Sequence, residues 1–163
     1  METRAKLFGH PIHQMLIVFP LGLFITAIVF DVLYFFTDNP RFAFVGYWNI
    51  VAGIIGGLAA AVFGMIDFSG IPRGTRAWRI GLAHGLGNVA LIALFIVAWL
   101  LRRPDALHLP NAMAFTLQIV ALGLGTVTAW LGGELVDRLG VGVYEGANLN
   151  ASSSLSRRPA TER

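Results

Sequence analysis

Charge is what this chain has least of. Only 13% of its 163 residues are Asp, Glu, Lys or Arg and 56% are hydrophobic, against roughly 25% charged in an average soluble domain. So few charges cannot cover a water-soluble fold of this length, which excludes a soluble enzyme, a nucleic-acid binder and a disordered chain as the main reading. Cysteine is absent, so there is no disulfide framework, no iron–sulfur cluster and no thiolate chemistry, and the redox compartment stays open. Most serines lie in the tail, which leaves no Ser nucleophile beside a base, and no Gly-rich nucleotide fingerprint stands between a strand and a helix. The formal charge of +3 rests on twelve basic residues confined to segment ends. That placement fits charge at a membrane surface, not a nucleic-acid site.

What the chain does have is long uncharged runs, over 7–30, 42–66, 80–101 and 106–133, each longer than the about 20 residues a helix needs to cross hydrocarbon. The first run is too long for a signal-peptide core of about 7–15 residues, and no small-x-small cleavage site follows it. It reads as a retained span. Helices are expected at about 12–36, 42–66, 78–101 and 112–133, as an all-α, antiparallel four-helix integral membrane bundle filling residues 1–145. Thr37-Asp38-Asn39-Pro40 reads as a tight turn, 67–77 as a basic loop and 102–111 as a Pro-punctuated connection. The tail over 146–163, with Ser152-Ser153-Ser154 and Arg157-Arg158-Pro159, reads as a disordered cytoplasmic segment.

Sorting Lys and Arg by side sets the orientation. Arg4, Lys6, Arg73, Arg76, Arg79, Arg138, Arg157, Arg158 and Arg163 fall on one side and Arg41, Arg102 and Arg103 on the other, and without the three tail arginines the ratio is still six to three. By the positive-inside rule both termini are cytoplasmic. Trp48, Trp78, Trp99, Tyr34, Tyr47 and Tyr144 fall near the expected interfaces as an aromatic belt. Pro20 is expected to kink the first helix and free a backbone carbonyl. Every fourth residue is small in helix 2 (Ala52, Gly56, Ala60, Gly64) and helix 4 (Ala121, Gly125, Ala129, Gly133), which implies close backbone approach. Such ladders serve equally to join subunits of a homo-oligomer.

Ionisable groups inside membrane helices are costly and point to function. His10 and His13 enter helix 1, Asp67 ends helix 2, His84 and Asn88 lie early in helix 3, and Glu134 follows helix 4, all toward the cytoplasmic face. Arg73, Arg76 and Arg79 crown that end. A thinner set, Asp31 and Asn49, lies near the far face; each stands eighteen residues from a cytoplasmic-side group, His13 and Asp67. Eighteen residues are five helical turns, so each pair shares a face about 27 Å apart. Gln118 and Glu134 are out of phase with that pattern.

Three chemistries suit the cytoplasmic cluster. Two imidazoles from separate helices can clamp a haem b; His84, flanked by Gly81, Gly85 and Gly87, has room for a macrocycle, with His13 as its natural partner and His10 as the alternate. A transition-metal site would use His10, His13, His84, Asp67 and Glu134. A cofactor-free cluster would pair Asp67 with Arg73 or Arg76 and Glu134 with Arg138. Independently, Arg73, Arg76 and Arg79 suit an anionic lipid headgroup. His10 and His84, each early in a helix entering from the same side, hint at two duplicated hairpins.

The same residues resemble a bacterial predicted-membrane-protein family, domain of unknown function 2231. The resemblance runs over about 7–144 on Gly9-His10-Pro11-Ile12-His13 with Phe19-Pro20, Asp67 with Ile71-Pro72-Arg73-Gly74-Thr75-Arg76-Ala77, His84 with Asn88, and Gly132-Gly133-Glu134-Leu135-Val136 with Gly140-Val141-Gly142-Val143. It implies a four-helix domain of the bacterial inner membrane without an established activity, and some relatives fused or adjacent to redox domains argue mildly for electron transfer. This chain departs from the family pattern at Gln14, where His-Pro-x-His-Pro would place a Pro, at Val18, where a further His before Phe-Pro is usual, and at Asp137, where a Tyr is common. The expectation is a redox-associated subunit, haem- or metal-binding and quinone-linked, with no independent enzymatic activity. The competing reading is a scaffold or small transporter with Asp31 and Asn49 lining a path and the basic loop binding lipid or a partner.

Overall fold

The structure, a computed structural model, describes residues 1–102, 107–156 and 158. Arg103, Arg157 and Arg163, which enter the charge count, lie outside the described residues, as do 159–162 of the tail. Four helical spans carry the chain: Ile12–Thr37, built from α1 (Ile12–Leu16) and α2 (Val18–Thr37); α3 (Pro40–Phe68); α4 (Arg76–Leu100); and α5 (Ala112–Gly133), which runs on into a π-helical turn, Glu134–Arg138. All four are long and apolar enough to cross a membrane. The protein is an all-α bundle of four membrane spans, with the N-terminal segment and the described residues after α5 at one end, here called the terminal end.

The helices begin where polar caps stop the apolar runs. Asn39 accepts from the Arg41 amide ahead of Pro40, Thr75 from Trp78, and Asn111 from Ala114, each satisfying a first-turn N–H that has no partner inside the helix. These caps lie outside the hydropathy signal, which is why α3 and α4 each start two residues earlier than expected. The first span breaks at Ile17, three residues before Pro20; the proline lacks the N–H that would bind the Leu16 carbonyl. Pro20 itself is buried and faces Gly56.

Side-chain spacing decides how the helices meet. On α3 the buried positions are Ala43, Gly46, Ile50, Gly53, Gly57, Ala60 and Asp67; on α5 they are Ala114, Gln118, Ala121, Gly125 and Thr128. Steps of three and four alternate, an average of 3.5, as in left-handed bundles with shallow crossings. The strict four-residue ladders therefore drift off the interface: Ala52, Ala129 and Gly133 are exposed, whereas Gly53, Thr128 and their like take the contact. Helix α2 packs on α3 and α4 on α5, forming two hairpins that close through α3 against α4 and α2 against α5. At the centre Phe24 and Phe95 stack with centroids 3.9 Å apart and planes 11° apart, in a core with Ala27, Ile28, Ile50 and Ala121.

Ahead of α1, Lys6–Leu7 and His10–Pro11 form a short antiparallel hairpin that apolar-run reading does not see. Its turn residues Phe8 and Gly9 have φ of +50° and +86°, as a mirror-image two-residue turn requires. The Tyr144 hydroxyl donates to the Gly9 carbonyl and the Lys6 ammonium sits 4.4 Å over the Tyr144 ring. Within the expected tail, the described residues form turns and one 3₁₀ turn, Ser154–Ser156, with Ser154 Oγ 3.3 Å from His10 Nε2. Of the expected aromatic belt, Trp48 is exposed; Trp99 instead packs on the core beside Tyr47, and Trp130 at 65% exposure is a better outward-facing aromatic.

Candidate functional site

Two glycines make the seats for two imidazoles. A Cβ on Gly64 would lie 3.0 Å from the His13 ring, and a Cβ on Gly132 would lie 3.1 Å from the His84 ring. Each ring is thereby laid against the neighbouring helix, and each Nδ1 reaches a backbone carbonyl there: His13 to Ala60 O and His84 to Thr128 O, both at 2.8 Å. A carbonyl can only accept, so both Nδ1 atoms carry hydrogen and both Nε2 atoms keep a lone pair in the neutral ring. The two rings approach edge to face, with centroids 6.3 Å apart. The i, i+4 relation of His84 and Asn88 acts as expected: the Asn88 amide donates to His84 Nε2 at 3.1 Å and to the His84 carbonyl at 3.0 Å. Thr128 Oγ1 donates to Asn88 Oδ1 at 3.1 Å, which sets the amide's orientation.

The remaining members of the expected ligand set go elsewhere. His10 stands on the hairpin against Ser154. Asp67 is buried, and its Oδ1 accepts from the Arg4 and Ala5 amides at 2.9 and 3.0 Å, so it anchors the N-terminal segment and does not pair with Arg73 or Arg76. Glu134 pairs with Arg76 at 2.6 Å across α4 and the π turn, not with the expected Arg138. Among the described residues no group of three or more His, Asp and Glu side chains converges to hold a metal ion. Two imidazoles are therefore what the terminal end offers, and a five-ligand site is not assembled. Arg73 and Arg79 are exposed on the turn and first helical turn at that end.

The far end holds a second polar centre, which joins Asp31 to Arg102, a residue expected only as a loop charge. Asp31 and Arg102 side chains both have 0% exposure and form a bidentate ion pair, with Nη1 to Oδ2 and Nη2 to Oδ1 each 2.8 Å. The guanidinium also donates to the Ala43 carbonyl at 2.9 Å and, through Nε, to the His108 carbonyl at 2.8 Å. Gln118 Nε2 donates to Asp31 Oδ2 at 2.8 Å, while its Oε1 is buried with no hydrogen-bond partner among the described residues. All four spans or their ends thus meet at one ion pair. Arg102 is a lock and not a loop charge, Asp31 does not line a path, and Gln118 is the α5 member of the set. Asn49, expected beside Asp31, is half-buried and makes no side-chain hydrogen bond among the described residues.

Outside the spans, the Lys6 ammonium beside Glu2 holds that carboxyl below the usual carboxylate range. No curated protein and no solved structure matches the chain. One family model matches residues 9–145, the stretch that holds both polar centres, and the chain belongs to the predicted membrane protein family of domain of unknown function 2231.

Proposed function

We propose that the protein is a redox-associated membrane subunit that holds a metal-centred group, a haem or a transition-metal ion, on the Nε2 atoms of His13 and His84. The terminal end would face the cytoplasm of a bacterial inner membrane, in line with the side that carries more Lys and Arg. One observation supports it above the others: both Nδ1–H groups are tied to backbone carbonyls with the rings 6.3 Å apart, and metal-bound imidazoles are oriented by such a bond on their other nitrogen. Ligation by both rings requires the Asn88 amide to leave His84 Nε2. The same lone pair bears on a quinone link and can serve only one partner: with no metal on it, Nε2 accepts from a quinol hydroxyl but offers nothing to a quinone carbonyl.

The test is an absorption spectrum and metal analysis of protein purified in mild detergent from haem- and metal-replete cells. A Soret band or a bound metal is expected, lost in His13→Ala and His84→Ala and retained in His10→Ala. A colourless, metal-free preparation sinks the proposal.

A second reading, capture of anionic lipid at the terminal end, rests on the exposed Arg73 and Arg79, each worth about 1 kcal/mol near an anionic surface. Lipid co-purification that survives neutralising both arginines counts against it.

A further inference from the structure

Residues that meet where the two hairpins join stand at a constant interval in the chain. Leu23-Phe24-Ile25 and Ala27 in the first span reappear as Leu94-Phe95-Ile96 and Ala98 in α4, 71 positions later, and the same interval carries His13 to His84. Between α3 and α5 the interval is 68, which carries Gly57 to Gly125, Ala61 to Ala129 and Gly64 to Gly132. The geometry repeats with the letters. His13 meets the carbonyl of Ala60, and His84 meets that of Thr128, the residue 68 positions on, at the same 2.8 Å. Gly64 seats the first ring and Gly132 the second. Ala27 and Ala98 are both wholly buried. The buried series of α3, Gly46, Ile50, Gly53, Gly57 and Ala60, maps position for position on Ala114, Gln118, Ala121, Gly125 and Thr128 of α5.

Three equivalent pairs are also neighbours in space: His13 with His84, Phe24 with Phe95, and Asp31 with Arg102. A residue that touches its own equivalent lies at a two-fold axis. The pairs succeed one another along the bundle and the first helices of both halves start from the same end, so the axis runs along the membrane normal, as in transporters built from parallel repeats. Two of the pairs are like with like. The third is opposite in charge.

We infer that the chain is a tandem repeat of one helical hairpin whose halves pair about this axis, and that Asp31 and Arg102 are the key of that pairing: each half fits the other half and rejects a second copy of itself. Like faces made of His, Phe, Ala and Gly would pair either way, half one with half two or each with its own copy from another chain. The key removes the choice. Two first halves would oppose Asp31 to Asp31, and two second halves Arg102 to Arg102, at a position with no solvent exposure. An unpaired buried charge is strongly destabilising, whereas the matched pair satisfies both oxygens and both terminal nitrogens. The 71-residue interval also corrects the histidine correspondence: the counterpart of His84 is His13, not His10.

Charge exchange in the full-length chain tests this. Asp31→Arg and Arg102→Asp singly put like charges on the axis, and the yield of folded, monodisperse protein in detergent should fall on the order of tenfold or more. Both exchanges together restore opposite charges on the axis and should recover most of that yield. A double variant as poor as the singles overturns the equivalence of the two positions. The neutral pair Asp31→Asn with Arg102→Gln removes the key without burying a lone charge. Light scattering on that variant should show exchanged assemblies heavier than the unaltered protein; an unchanged oligomeric state overturns the role of the pair as a key.

Discussion

Gly46 shows how little slack surrounds the buried charge. A Cβ there would fall 2.6 Å from Asp31 Oδ1, an oxygen that Arg102 holds at 2.8 Å and that cannot swing aside without breaking the fork. Gly46→Ala should therefore destabilise the bundle by about 1–3 kcal/mol, as overpacking of a tight interior does, read as a lower unfolding midpoint in detergent. Gly22, exposed and with nothing within 4 Å of a Cβ, is the control; its replacement by Ala should be neutral or stabilise by up to about 1 kcal/mol through helix propensity. Equal losses at both sites would show that the Asp31 seat is not tight. The lock itself was only half legible in the sequence. Helical phase places Asp31 inward, but Arg102 falls at the end of an uncharged run, where counting charges by side treats it as a loop residue. The missed signal was the repeated Leu-Phe-Ile-x-Ala, which sets Arg102 at the position equivalent to Asp31.

Elements that lie outside the apolar runs carry the fastening of the terminal end. Asp67 closes α3 and accepts the amides of Arg4 and Ala5, and Arg4 Nη1 donates to Ser69 Oγ at 3.0 Å, so the N-terminal hairpin is tied to the α3 terminus before α1 begins. Hydrogen bonds to a charged acceptor contribute about 1.5–3 kcal/mol each. Asp67→Ala should release the segment, and amide exchange over residues 2–12 should accelerate by about ten- to a hundredfold while the four spans stay protected. Exchange that is unchanged in this segment would show that another contact anchors it. Hydropathy located all four spans to within a few residues because lipid demands continuous apolar helices. It could not find the hairpin, whose two-residue strands rest on a turn at Phe8 and Gly9, nor the π turn after Gly133, where the Leu139 amide reaches back to the Glu134 carbonyl.

At the scale of the whole molecule, the axis between the hairpins is filled by side chains in sequence: the His pair, the Phe24–Phe95 stack and the Asp31–Arg102 pair. Phe24 and Phe95 are 6% and 1% exposed, so together they close the centre of the bundle, which weighs against a path along it. In lipid, burial of apolar surface does not drive two helices together, and the seam depends on close packing. The Phe stack is then a central contact between the hairpins, beside the packing of α3 on α4 and of α2 on α5. Phe24→Ala and Phe95→Ala should each destabilise by about 3 kcal/mol or more, as large-to-small core changes do. Their effects should not add. Removing either ring already forfeits the shared face, so the double variant should be more stable than the sum of the singles predicts by about 0.5–1.5 kcal/mol, the coupling typical of an aromatic pair. Pairing Phe24→Ala with Gly46→Ala, two changes in the first hairpin at different levels of the bundle, one against Phe95 and the other against Asp31, supplies the comparison and should add. If the two phenylalanines add as well, the rings merely fill their own halves, and the hairpins are held together by the charge lock at one end and the imidazoles at the other.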